Sequence, residues 1–156
     1  MQNPLLRIIL CGQSTGVGKA VIDGLKPEIE VSRFFTSIEE AKRDIPLILS
    51  GQISKIGKLD EDVEKLGTQK FDTIPQGIML GGAYSVSDQQ TINDSFKGIS
   101  NLKQVPFFFS DDKIEMPPLG PKYGAAILKR AREALIDYSK LSEDEQKDKA
   151  GKVIWY

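Results

Sequence analysis

The sequence predicts a three-layer α/β domain on a mainly parallel sheet of four to five strands, with helices on both faces. Three observations predict it. Short apolar runs rich in branched and aromatic residues alternate with segments of helical periodicity along the chain. Several of these runs are nearly continuous rather than alternating, as suits strands buried on both faces. The first run leads through three glycines, Gly12, Gly16 and Gly18, into a helical pattern.

The elements follow in order. Leu5 to Cys11 reads as the first strand. Ala20, Val21 and Leu25 sit at helical spacing, and Lys26-Pro27 stops that helix. Glu28 to Phe35 is the second strand, with Ile29, Val31, Phe34 and Phe35 as its bulk. Ser37 and Glu40 form a capping box for a helix bearing Ile38, Ala41 and Ile45, which Pro46 is expected to interrupt before a short piece from Leu47 to Ser50. Leu59, Val63 and Leu66 predict a short amphipathic helix closed by Gly67, with Asp60, Glu61, Asp62 and Glu64 on a solvated face.

Gln76 to Leu80 is the next strand, ending at Gly81-Gly82. A capping box over Ser87 to Gln90 opens a helix carrying Ile92, Phe96 and Ile99. Gln104 to Phe109 is a further strand, with Pro106 near its start. The connection Met116 to Pro121 precedes the longest helix, about 122–140, whose stripe runs through Tyr123, Ala126, Ile127, Ala131, Leu135 and Tyr138 while Lys129, Arg130, Arg132 and Glu133 mostly face out. Residues 1–140 thus form a single domain. Residues 141–156 form a tail whose apolar end, Gly151 to Tyr156, docks on the body, adds an edge strand or packs on a second subunit.

Composition narrows the chemistry. The 156 residues fit one core, with 40% hydrophobic and 28% charged residues and a formal net charge of -1. That balance offers no global attraction to nucleic acid or an anionic membrane. No apolar run is long enough to cross a bilayer, and Met1 to Pro4 carries no basic region ahead of a long apolar segment. The lone cysteine, Cys11, ends the first strand as a small core residue, and a reducing, cytoplasmic setting is expected. There are no histidines, which excludes the usual Ser-His-Asp and Cys-His hydrolases and an ordinary zinc site, so no metal is expected.

Strand, glycine turn and helix in that order can make an anion site, since a helix N-terminus presents unpaired N–H groups. A tight turn that needs glycine for backbone reasons is the alternative. Five residues separate Gly12 from Gly18-Lys19, and Ala20 stands where a magnesium-binding hydroxyl would be needed, so this is not a P-loop. The spacing also departs from Gly-x-Gly-x-x-Gly, because residue 14 is Ser.

Gly-x-x-x-Gly-x-Gly, within Cys-Gly-Gln-Ser-Thr-Gly-Val-Gly-Lys-Ala-Val, resembles the cofactor loop of the short-chain dehydrogenase/reductase family. The resemblance implies a Rossmann-like domain binding NAD or NADP through Gly12, Ser14, Thr15, Gly16, Val17 and Gly18. Leu80-Gly81-Gly82-Ala83 falls where that family has its Asn-Asn-Ala-Gly turn, which adds Gly81 and Gly82 to the cofactor residues. Ser110 falls where the family carries its catalytic serine, and Tyr123, 13 residues on, suits its catalytic tyrosine. The family's lysine four residues after that tyrosine is Ile127 here. The chain is also short of a full family domain.

No acid closes the second strand to hold a ribose hydroxyl; Arg33 within it is a candidate partner for a 2′-phosphate, which leans the choice slightly toward NADP, or equally a surface residue on an edge strand. The expectation is a small dinucleotide-binding protein, accessory to a pathway, without standard reductase catalysis. A divergent reductase, isomerase or cyclase using Ser110 and Tyr123 on an unknown small molecule is the second reading. The third is an interaction module with a vestigial nucleotide site. A homodimer through the tail or an edge strand is compatible with each.

Overall fold

The computed structural model describes residues 4–118 and 120–156. Residues 1–3, and Leu119 in the connection before the longest helix, lie outside the described residues. The core is one parallel sheet. Its strands are β1 (Leu6–Cys11), β2 (Ile29–Phe35), β3 (Ile78–Leu80), β4 (Phe107–Phe109) and β5 (Val153–Trp155), in the order β2-β1-β3-β4-β5. The helices are α1 (Thr15–Leu25), α2 (Ile38–Leu49), α3 (Glu61–Glu64), α4 (Val86–Asp94), α5 (Pro121–Ser139) and α6 (Glu143–Lys149), with a 3₁₀ turn at Ile53–Lys55. The expected three-layer α/β architecture is present, with the first strand inside the sheet.

Register assigns the layers. Phe34, Leu10, Met79, Phe108 and Ile154 are lateral neighbours and share one face. On that face Gly18 of α1 packs against Phe34, and Tyr138 of α5 meets Phe108 edge-on at 5.6 Å. On the other face Asp44 of α2 pairs with Arg33, and Phe96, just after α4, stacks on Phe107 at 6.2 Å. So α1 and α5 cover one face, and α2, α3 and α4 the other.

This placement has a topological consequence. From β2 to β3 and from β3 to β4 the chain steps across the sheet over the α2–α4 face. From β4 to β5 it steps in the same direction, but α5 runs over the α1 face. That last crossover therefore has the opposite hand to the other three, against the strong preference for one hand in parallel sheets. The contacts that hold α5 there include its buried Ala131, Leu135 and Tyr138, Leu128 against Gly24, where no side chain intervenes, and the Arg132–Glu28 ion pair.

Several boundaries differ from those read in the sequence. Pro46 does not break α2, which continues to Leu49. Pro46 is the ninth of its 12 residues and removes only one late N–H bond, while Ile45, Ile48 and Leu49 bury on either side of it. The capping box of α4 is Ser85 with Asp88, two residues earlier than expected. The strands at Gln76 and Gln104 shorten to three residues each, because their leading segments hydrogen-bond outside the regular ladder. The tail supplies α6 and the edge strand β5.

Candidate functional site

At the sheet's carboxyl end the loops meet where the strand order reverses, here between β1 and β3. Gly12 extends the ladder through its N–H to Phe35 O at 2.9 Å. The chain then turns through Gln13 to Ser14, the N-cap of α1. The Ser14 hydroxyl accepts from Val17 N at 3.3 Å and its carbonyl accepts from Gly18 N at 2.9 Å. No main-chain bond among the described residues uses the N–H of Thr15 or Gly16. Ser14, Thr15, Gly16 and Val17 are all exposed. The first turn of α1 has no carboxylate, whereas those of α2, α4 and α6 each carry their own. The positive end of the α1 dipole is therefore open to an external anion.

The three glycines have different physical reasons. A Cβ on Gly18 would lie 2.5 Å from the Phe34 ring, and one on Gly12 would lie 3.2 Å from it. Phe34, seated against the turn, requires a glycine at Gly18 and leaves little room at Gly12. A Cβ on Gly16 would meet only the Ser14 hydroxyl, at 3.7 Å. Packing does not require a glycine at Gly16.

The Gly81–Gly82 turn joins this loop to a second region. Gly81 donates to Cys11 O at 2.9 Å, and its Cα faces Gly12. A Cβ on Gly82 would lie 3.7 Å from Ser110 Oγ. Gly82, Ser110 and Tyr123 line one open cleft of about 450 Å³, with Met116, Ile127 and Arg130. Ser110 and Tyr123 thus share a cleft, although α5 reaches it from the α1 face. The glycine loop borders this cleft through Gly81–Gly82 and is not part of its lining.

Arg33 requires a correction. It is 1% exposed and projects onto the α2 face. Its Nη1 donates to Gln69 at 2.9 Å and Glu64 at 3.2 Å, and its Nη2 to Gly57 O at 2.6 Å and Asp44 at 3.3 Å. The guanidinium also lies 5.5 Å from the centre of the Phe35 ring. Arg33 holds segment 57–69 on the sheet and is not available to a 2′-phosphate. Burial alone would raise the Asp44 carboxyl. The Arg43 hydrogen bond, the Gly57 amide and the charges of Arg43 and Arg33 outweigh it and hold that carboxyl below the usual range.

Three residues not singled out for the site belong near it. Arg130 donates to Asp111 O at 3.2 Å and to the Tyr156 main-chain oxygen at 2.5 Å, with Met116 Sδ as a further neighbour. The expectation that Arg130 faces out is corrected: seven residues after Tyr123, it shares that residue's helix face and is part-buried in the cleft. The buried Tyr156 donates its hydroxyl to Leu80 O at 3.2 Å, where the Gly81–Gly82 turn begins, and burial raises its pKa. The buried Tyr84 hydroxyl has no hydrogen-bond partner among the described residues, and burial chiefly raises its pKa as well. No local sequence pattern marks either tyrosine. Cys11 is fully buried and its thiol is pushed up to about 12, which removes it as a nucleophile.

Comparison with known proteins adds kinship. No protein-family profile matches the chain, and no solved structure matches it. Kojic acid related protein 6 of Aspergillus oryzae is 30% identical over 131 residues, a span covering 82% of this chain and 74% of that protein. No helix among the described residues is long and apolar enough to cross a membrane. With its parallel α/β sheet and this shared length, the chain belongs to the family of kojic acid related protein 6.

Proposed function

We propose that the protein binds a nicotinamide-type dinucleotide, with the pyrophosphate on the first turn of α1, and serves as an accessory protein in cytoplasmic small-molecule metabolism. The observation that carries this reading is the open N-terminus of α1 beside a glycine, Gly16, that packing does not require. The reductase-like spacing of Gly12, Gly16 and Gly18 supports the same ligand. The relative's name ties that protein to kojic acid, which favours a role beside small-molecule chemistry.

The residues present fit the group in part. Thr15 and Gly16 offer main-chain N–H groups to phosphate oxygens, and the dipole adds favourable charge. With Arg33 committed to the fold, the lean toward NADP loses its residue, and the proposal extends to NAD equally. When bound, the dinucleotide would supply hydride chemistry. Ser110 and Tyr123 lining one cleft favour a second reading, a divergent enzyme acting there, in which both hydroxyls would orient a small substrate. Ile127 leaves Tyr123 without the ammonium group that a reductase would place there.

Titration with NADH and NADPH, read by melting temperature, tests the binding. A ligand at 100 times its dissociation constant adds about 2.7 kcal/mol. Gly16→Asp sets a carboxylate where the phosphate would lie, in open space and at the favourable end of a dipole. It should abolish the shift while leaving the apo melting temperature intact. No shift with either dinucleotide in the wild type would refute the proposal.

A further inference from the structure

The two edges of the sheet are treated differently. Along β2 the segment after α3 closes the outer edge: Thr68 N–H donates to Val31 O at 3.0 Å and Gln69 N–H to Ser32 O at 2.9 Å. Along β5 no segment of the described residues does this. Its bonds to β4 run from Lys152 O, which accepts from Phe107 N, to Tyr156 N, which donates to Phe109 O. In a parallel ladder the residues between point alternately, so Ile154 turns both main-chain groups toward β4. Val153 and Trp155 turn theirs outward, and neither residue makes a main-chain bond on that side among the described residues.

The side chains along this edge are apolar on both faces. Val153 and Trp155 share the α4 face, and Ile154 takes the α5 face. Trp155 is 51% exposed, and Val153 and Ile154 are half-buried. Natural sheets guard an edge with a short strand, a charge, a proline, a bulge or a covering segment, and along Val153 to Trp155 itself the one guard is its three-residue length, with Lys152 just ahead of it.

We propose that β5 is a self-association edge, and that a second copy of this chain pairs with it antiparallel about a twofold axis through Ile154. The argument for a second copy is self-complementarity. In that register Val153 lies opposite Trp155 of the other copy, and Trp155 opposite its Val153. Each pair exchanges two N–H···O bonds, so all four outward groups of each copy are satisfied. Trp155 covers the other copy's Val153 on one face, and the two Ile154 side chains meet on the other. Lys152, exposed at the start of β5, comes opposite Tyr156 of the other copy, whose main-chain oxygen is already engaged by Asp111 N and Arg130 Nη2 of its own copy. The two sheets become one of ten strands.

The experiment is light scattering on the full chain with a dilution series followed by tryptophan emission. Trp155 is the chain's one tryptophan, so its emission reports this edge directly. The expected result is twice the 17.3 kDa chain mass at about 100 μM chain, with emission shifting to the red on dilution. Val153→Pro deletes an outward N–H and leaves the bonds to β4 in place. It should weaken the dimer by at least about tenfold with the melting transition retained. Trp155→Lys adds an edge charge and should do the same, and it serves as the measure if the proline variant does not fold. A single-chain mass for the wild type at that concentration overturns the proposal. So does a dimer whose dissociation is unchanged by Trp155→Lys.

Discussion

Phe34, at the end of β2, rests its ring against Gly18 in the first turns of α1, and a Cβ at Gly18 would sit 2.5 Å from it. Gly12 meets the same ring. One of the three glycines that suggest a phosphate site, Gly18, is therefore needed to seat an aromatic ring between a helix and a sheet, and Gly12 is tight against the same ring. Gly16 alone is left for a ligand.

Gly18→Ala and Gly16→Ala should accordingly part company. The first forces Phe34 or α1 to move and should cost about 1–3 kcal/mol, as overpacking does. The second places a methyl group in open space on a helix and should be neutral or stabilising by about 0.5–1 kcal/mol. Thermal or urea unfolding measures both. Equal destabilisation would mean that the turn, and not Phe34, demands the glycines. Phe34→Leu in the Gly18→Ala background should recover part of the loss, because the two sites share one contact.

Arg33 and Asp44 make the second prediction. Their pair is almost fully buried, with Arg33 at 1% and Asp44 at 0% exposure. Asp44→Asn leaves Arg33 with Glu64 as its one carboxylate partner and should cost about 1–3 kcal/mol. Arg33→Leu should destabilise too, and it should leave any discrimination between NADH and NADPH unchanged. The pH dependence has a definite sign. The Asp44 carboxyl titrates below its ordinary value in the folded state. Its stabilisation is fully present above about pH 4, the ordinary carboxylate value, and is lost as pH falls through the depressed folded value. Urea unfolding from pH 7 to pH 2.5 (about the span over which carboxylates titrate) should show the gap between wild type and Asp44→Asn closing below pH 4. A gap constant with pH would remove Asp44 from the acid limb.

The strands and layers were legible because burial on both faces leaves long apolar runs, as in Leu6–Cys11 and Phe107–Phe109. The meeting of Gly81 with Gly12 and of Gly82 with Ser110 was legible too, since parallel strands bring their carboxyl ends to one side of the sheet. Arg33 was misread because a cation on a strand looks alike whether it faces a ligand or a buried carboxylate 11 residues away. The side taken by α5 was not legible. It rests on long-range packing, with Tyr138 against Phe108, Leu128 against Gly24 and Arg132 against Glu28, and the general rule of handedness points the other way. Pro46 misled because propensity is a local quantity, and the burial of Ile45, Ile48 and Leu49 overrides one lost bond.

Arg130 gives the last prediction. Among the described residues it is the one side chain that ties α5, the loop after β4 and the end of the chain's last strand together by hydrogen bonds, through Asp111 O and the Tyr156 main-chain oxygen. Arg130→Met keeps the apolar stem and removes the donors. The acceptors left behind lie at the sheet edge, so the cost should be about 1–3 kcal/mol. Its local effect should be larger. Tyr156 N–H bonds to Phe109 O, and Asp111 N–H to the Tyr156 oxygen, so both amides should exchange faster in the variant. Peptides covering 12–18 should keep their exchange rates, because the glycine loop reaches this region only through the Gly81–Gly82 turn. Hydrogen exchange by mass spectrometry separates the two regions in one measurement. Unchanged protection at 150–156 would show that β5 is held by its ladder alone and that Arg130 is free to serve the cleft it lines with Ser110 and Tyr123.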